Sequence, residues 1–313
     1  MNAMKFAIPF FVALAYGPSQ AVAVPILGAD LATFAVLSAT PDVTNVPTST
    51  IVGNVGVSPA EAVIGFTFTA GLATADPQVT GGLVHSNTAL AASAQGQLTT
   101  ARGNLAGLGV GTTLPSDLVG LTIFPGVFTV PFNAVSNLSG AVTLDGLGDP
   151  NAFWLFQTGA LTTSSASVVN VIGTGTGAGV FWNDTSSVIL GSTTSFQGNI
   201  LALTSITLIT NATIGCGRAL ADTARVTLGQ NTINAIDCVG TGEEGSNGLS
   251  GSGLDFVGDS LNAVFDTAGG ERTLVSVPGT FGGGTAVPEP GTLVLFAFGL
   301  AGLFAFRKFF AVA

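Results

Sequence analysis

GVFWNDTSSVILGSTTSFQGN (Gly179–Asn199), ILALTSITLITNATIGCGR (Ile200–Arg218) and ALADTARVTLGQNTI (Ala219–Ile233) follow one another directly, and short β-branched runs recur in them about every 20 residues. That period is the mark of a β-solenoid, in which each repeat is one coil and buries its apolar edge only when stacked on its neighbours. Within the runs the parity is informative. Val188 and Leu190, Ile206 and Leu208, and Val226 and Leu228 alternate with polar or small residues and so point inward. The outward columns are then Thr158, Ala160 and Thr162 on one coil, Thr185, Ser187 and Ile189 on the next, Ser205 and Thr207 on the third, and Thr223, Arg225 and Thr227 on the last.

Outward from this core the pattern continues in both directions. From Val24 to Thr74, turns such as Ala39-Thr40-Pro41-Asp42 and Val52-Gly53-Asn54 separate short strands, among them Thr33 to Leu37 and Ala62 to Phe68. Leu90, Ala94, Leu98, Ala101 and Leu105 share one helical face, which predicts a helix over roughly 87 to 106, capped by Ser86 or Asn87 and ended by Gly107 or Gly109. Its apolar face is narrow, so it should lie flat along the solenoid rather than join a bundle. The body is expected to span 24–238. Beyond Val239 the Gly, Ser and acidic residues of 239–286 read as a spacer, with short strands at Leu254 to Phe256 and Leu274 to Val277.

Composition narrows the function. The chain of 313 residues is 47% hydrophobic and only 8% charged, so its surface must be finished with Ser, Thr, Asn and Gly. A net charge of -10 with seven basic residues argues against a nucleic-acid partner, because phosphate neutralisation needs clustered Lys and Arg. The single His85 removes most zinc and Ser-His-Asp constellations and reads as a capping or packing residue; no metal or cofactor is expected. Trp154 and Trp182 occupy matching places in strand runs and read as core fillers. Gly173-Thr174-Gly175-Thr176-Gly177 lacks the Lys and the helix of a phosphate loop. The acidic residues fall mostly in turns, such as Asp145 and Asp149, and not as the carboxylate pair that a solenoid glycosidase would need. No catalytic residue is assigned. Cys216 and Cys238 lie 22 positions apart, near one coil, which would set them on neighbouring rungs within disulfide reach. Free buried thiols are the alternative.

Both ends read as address labels. Lys5, the apolar run Phe6 to Ala15, a Gly17-Pro18 break and Ala21-Val22-Ala23 compose a secretory signal over residues 1–23. At the other end stand Val287-Pro288-Glu289-Pro290, an apolar run from Gly291 to Phe306, and Arg307-Lys308. This tail, 287–313, resembles the PEP-CTERM sorting signal of Gram-negative bacteria that make exopolysaccharide. The resemblance implies an exosortase-type enzyme that reads Pro288, Glu289, Pro290, Arg307 and Lys308, a transient membrane helix, and a secreted or cell-surface body. A permanent C-terminal anchor is the other reading of the same residues.

Three segments carry a wider resemblance: Leu27-Gly28 to Phe34-Ala35-Val36-Leu37 with Gly53-Asn54-Val55-Gly56-Val57-Ser58-Pro59; Leu121-Thr122-Ile123-Phe124-Pro125-Gly126-Val127-Phe128; and Phe196-Gln197-Gly198-Asn199-Ile200-Leu201-Ala202 through Gly217-Arg218-Ala219-Leu220-Ala221. Over roughly residues 26–238 the chain resembles the ice-binding-like family of secreted microbial proteins. That implies an all-β-dominated, discontinuous β-solenoid with one long helix alongside, its N-terminal coils inserted against the later ones. It also implies ice or ordered water as the partner, met by a face carrying Thr158, Ala160, Thr162, Thr185, Ser187, Thr204, Ser205, Thr207, Thr223 and Thr227. Thr204-Ser205-Ile206-Thr207 comes near the family's Thr-rich pattern, whereas Arg225 and Ile189 depart from it. The chemistry agrees: Thr offers a hydroxyl to hold water, a methyl to order it, and a stiff χ1. The competing expectation is a non-catalytic structural or adhesive protein of the cell surface or exopolysaccharide matrix.

Overall fold

Short runs of Val, Ile, Leu and Thr, each broken within a few residues by Gly, Asn or Ser, make strands that must turn repeatedly, and the coils obey this. The computed structural model describes residues 26–236, except 134, 150, 151, 176 and 177, and the backbone of three strands between 253 and 276. The protein is mostly β with one helix. Each full coil crosses three faces. In the last one these are the end of Thr213–Ala221, then Val226–Leu228, then Thr232–Asn234.

Stacking along the axis is parallel and out of sequence order. On the first face the strands run Val84–Ser86, Asn54–Val57, Phe34–Ser38, Thr213–Ala221, Ser195–Ala202, Gly179–Asp184, Phe153–Thr158, Gly126–Val130, Thr112–Thr113. The N-terminal coils therefore sit beyond the last C-terminal coil, with Val36 beside Ala219, Val43 beside Val226 and Ile51 beside Ile233. Geometry explains the helix that follows. The chain leaves Val84–Ser86 at one end and must start its next coil at Thr112–Thr113 at the other, eight strand steps away. At about 4.8 Å per step that is roughly 38 Å. Ala89–Ala106 supplies about 27 Å of it at 1.5 Å per residue, and the loop to Thr112 supplies the rest.

The helix starts two residues later than the sequence suggests. Thr88, not Ser86 or Asn87, is the N-cap, its hydroxyl accepting from the amide of Ala91 at 3.2 Å. Ser86 instead donates to the carbonyl of Glu61. The buried face is Ala91, Ala94, Leu98, Ala101 and Leu105, with Ala91 in the place expected for Leu90. It covers the first face, where Leu37, Leu155, Phe181, Leu201 and Leu220 alternate with residues of the solenoid interior and are fully buried. Arg102 then clamps the helix down. It bonds the Asp222 carboxylate at 2.9 Å and the carbonyl of Asp184 at 2.9 Å.

The interior is a second apolar layer, filled along its axis by Phe128, Phe156, Trp182 and Phe196. Phe156 and Trp182 stack with centroids 4.0 Å apart, which confirms the tryptophans as core; Trp154 is likewise fully buried. Each indole N–H finds a carbonyl, of Ile123 for Trp154 and of Gln197 for Trp182. At that last corner the strands bend between faces at Gly198 and Gly217, both at positive φ; a Cβ on Gly198 would meet the Trp182 ring at 2.7 Å. The corner between the second and third faces repeats a left-handed residue on four successive C-terminal coils: Ala166, Thr193, Asn211 and Gln230, with φ of 57 to 62°.

His85 packs edge-on against Phe34, 3.1 Å from the Thr88 hydroxyl, as a packing residue should, and burial lowers its pKa. Gly253–Val257, Ser260–Val264 and Leu274–Ser276 form a small antiparallel sheet, the middle strand of which the sequence reading left as spacer. The expected signal at 1–23, Cys238, the motif at 288–290 and the helix over 291–306 lie outside the described residues. Among the described residues, no helix is long and apolar enough to cross a membrane.

Candidate binding face

The helix closes the first face, which leaves the second and third exposed. The second is a six-stranded parallel sheet in the spatial order Leu161–Thr162, Val188–Leu190, Ile206–Leu208, Val226–Leu228, Asp42–Asn45, Ala62–Ile64. Its inward column, Leu161, Val188, Ile206, Val226, Val43 and Val63, is buried. Its outward column is Thr162, Ile189, Thr207, Thr227, Thr44 and Ile64, paired rung to rung without a register shift. Two residues upstream on each strand runs a companion column of Ala160, Ser187, Ser205, Arg225, Asp42 and Ala62. The result is a grid of about 4.8 Å between rungs and roughly 7 Å along each strand.

This geometry sorts the residues read from the sequence. Ala160, Thr162, Ser187, Ser205, Thr207 and Thr227 are brought together on this face. Thr158 is not; it ends the first-face strand, is buried, and donates to the Asp184 carboxylate. Thr185 and Thr223 stand at the corner before the face, with their hydroxyls donated to the carbonyls of Thr158 and Leu203. Thr204, half-buried, shares that corner, its amide on the carbonyl of Ser186. The parity count failed there because the strands end at the corner and the alternation restarts on the next face. Conversely, Thr44, Asp42, Ala62 and Ile64 were missed. Their signal was present in Val43-Thr44, which repeats the apolar-Thr pair of Ile206-Thr207 and Val226-Thr227. Only the insertion of the N-terminal coils beside Val226–Leu228 places it in the column.

Arg225 and Ile189 are on the face as expected. Ile189 stands in the threonine column itself and Ile64 repeats it at the far end. Arg225 is paired. One guanidinium nitrogen lies 3.3 Å from Asp42 Oδ2, and Asp42 Oδ1 accepts the hydroxyl of Thr44 at 2.8 Å. Asp42 is nearly buried beneath this pair while Arg225 remains about half exposed.

The third face also carries hydroxyls, in the column Ser195, Thr213, Thr232 and Thr50. It is less regular. The strand Val168–Ile172 meets Ser195–Ala202 at only the Val168–Ser195 rung, and the register shifts just beyond, between Phe196 and Gln197.

Two further ionic groups are buried away from the second face. Arg218 is buried and cationic, donating to the carbonyl of Ala32 at 2.9 Å, to that of Ala235 at 2.8 Å and to Asn199 Oδ1 at 2.8 Å; burial pushes its pKa down to about 9. Burial raises the pKa of Asp184, against hydrogen bonds from Thr158 and Ser186 and the Arg102 charge. Among the described residues no group of His, Cys, Asp and Glu is placed to hold a metal ion.

Parallel coils, an out-of-order N-terminal pair, one helix along their covered side and a rigid hydroxyl-bearing grid on an uncovered side define a discontinuous β-solenoid with a surface, not a cleft, as its candidate site. Residues 37–234 match the family model described as ice-binding-like, and the chain belongs to that family. Residues 286–308 match the PEP-CTERM protein-sorting motif. Among similar proteins, an ice-binding protein of Nostoc sp. (strain HG1) is 40% identical over 193 residues, covering 61% of this chain and 68% of that one. One from Colwellia sp is 32% identical over 257 residues, covering 75% and 94%. The crystal structure of an ice-binding protein from an Antarctic biological consortium is 34% identical and superposes with a TM-score of 0.55, over 73% of this chain and 95% of that one.

Proposed function

We propose that this chain is a secreted or surface ice-binding protein that adsorbs ice through its second solenoid face. The observation that carries the reading is the in-register outward column Thr162, Ile189, Thr207, Thr227, Thr44, Ile64, whose charged companions two residues upstream, Arg225 and Asp42, are paired with each other. Hydroxyls and methyls fixed at about 4.8 Å intervals hold water in a lattice without first having to be ordered, so weak contacts add up along the face. An array of unpaired Lys or Glu would hold hydration shells of its own. The family membership and the ice-binding names of its relatives support the same partner.

The ends complete the proposal. The sorting motif at 286–308 supports export and handling by an exosortase-type enzyme, with Pro288, Glu289 and Pro290 as the recognition site and the apolar run before Arg307 and Lys308 as a transient anchor. A Cys216–Cys238 bridge fits an oxidising compartment; Cys216 is buried and not a free thiol. It would pin the last coil by about 3 kcal/mol on the chain-entropy model.

The test is thermal hysteresis and ice-recrystallisation inhibition by the purified protein. Faceted crystals and halted recrystallisation at micromolar protein are expected, and both should vanish in Thr207→Lys/Thr227→Lys with circular dichroism and melting unchanged. Crystals that grow as in buffer alone would reject an ice partner.

A further inference from the structure

The pair on the candidate face has more to it than charge cancellation. Arg225 and Asp42 stand in the companion column at the fourth and fifth of the six rungs, two residues upstream of Thr227 and Thr44, where the outward column holds its one run of three consecutive threonines, Thr207, Thr227 and Thr44. An unpaired guanidinium there would keep its own hydration shell in the middle of the grid. Asp42 prevents this with one oxygen and uses the other to accept the Thr44 hydroxyl at 2.8 Å. That second bond fixes where the Thr44 proton points and leaves its lone pairs and methyl for an overlying water layer. Asp42 is itself held: it is nearly buried, and its carbonyl accepts from Ser38 at 3.0 Å.

We propose that Asp42 is a positioning residue of the ice-facing surface, holding Arg225 against the sheet and setting the hydroxyl of Thr44 so that the charged rungs continue the threonine grid. The proposal rests on the ice-binding reading of this face. It assigns a role to a residue that makes little or no contact with ice, and it makes Arg225 tolerable only in the presence of Asp42.

A double-mutant cycle, read by the protein concentration that half-inhibits ice recrystallisation, tests it. In Asp42→Ala that concentration should rise about tenfold, the factor of one charge-assisted hydrogen bond. Asp42→Asn keeps the shape and an acceptor for Thr44 but loses the charge, and should fall between. In Asp42→Ala/Arg225→Ala, inhibition should return to within about twofold of the wild type, since the charge that needed a partner is gone. A contact that merely held the coils together would act through stability, so inhibition is compared at a temperature where circular dichroism shows every variant fully folded, and there such a contact would leave it unchanged. The proposal is overturned if Asp42→Ala inhibits as the wild type does, or if the double variant is no better than Asp42→Ala. Should Asp42→Ala melt below the assay temperature, Asp42→Asn and its double with Arg225→Ala answer the same question. A wild-type protein without any inhibition refutes the ice-binding reading instead, so the two failures are distinct.

Discussion

Replacing Arg218 with Met removes a fully buried cation that joins three coils, and its cost can be worked from the contacts. The guanidinium donates to Ala32 O, just before the first N-terminal strand, to Ala235 O, just after the last C-terminal one, and to Asn199 on the neighbouring rung. Met fills much of the volume but donates nothing, so three buried acceptors lose a donor at about 1 kcal/mol or more each. The expected destabilisation is therefore about 3 to 5 kcal/mol, the range for breaking a buried charged network. For a domain of this size that lowers the melting temperature by roughly 10 °C. Arg218→Lys keeps the charge but not the planar fork and should fall between. Differential scanning calorimetry gives the size. Hydrogen exchange gives the place, with protection lost first at Phe34–Ser38 and Asn54–Val57, the coils that stack on the C-terminal ones across this junction. A loss under about 1 kcal/mol, or one spread evenly over all coils, would refute the account of Arg218 as the clamp of the out-of-order stack.

Three further outcomes are expected. Thr44→Lys should abolish recrystallisation inhibition as fully as Thr207→Lys, whereas Thr232→Lys on the third face should leave it intact; the reverse would move the site to that face. Asp184, with its pKa raised by burial, contributes stability that is fully present below the ordinary carboxylate range and lost as pH rises through the raised value. Melting temperatures of wild type and Asp184→Asn should thus agree in acid and diverge toward neutral pH, with the variant the more stable. Leu98→Ala, at the centre of the buried helix face, should cost about 3 kcal/mol in urea unfolding without changing crystal shape at temperatures where it stays folded.

How much of this was legible in the sequence depended on whether the physics was local. The period of the coils, the inward column Val188, Ile206 and Val226, and the helix face from Ala94 to Leu105 follow from side-chain spacing alone, and each is where spacing puts it. The corners were not legible. Thr158, Thr185, Thr204 and Thr223 carry the right chemistry at the right interval, but whether a threonine faces water or a neighbouring carbonyl is decided by where the strand stops. Nor was the partner of Arg225. Asp42 is 183 positions away and meets it only because the N-terminal coils stack on the last one. A spacing argument sees neighbours along the chain, and the discontinuity makes neighbours that the chain does not have.

That discontinuity ties the stability of the fold to the extent of the face. All three arginines of the body work around the junction: Arg102 through Asp222, Arg218 through Ala32 and Ala235, and Arg225 through Asp42. Two of the six rungs of the face, Asp42–Asn45 and Ala62–Ile64, lie beyond it. If the N-terminal coils part from Val226–Leu228, the grid shrinks to four rungs, its central run of threonines is cut between Thr227 and Thr44, and Arg225 loses its carboxylate. Contacts that add along one rigid face should then fail together. Warming Arg218→Met toward its first transition and cooling it again to assay only the fraction still protected at Phe34–Ser38 should show inhibition tracking that fraction, while the far-ultraviolet signal of the remaining coils persists. Inhibition that survives after those amides have lost protection would mean that the four C-terminal rungs suffice, and that the N-terminal coils serve the fold and not the face.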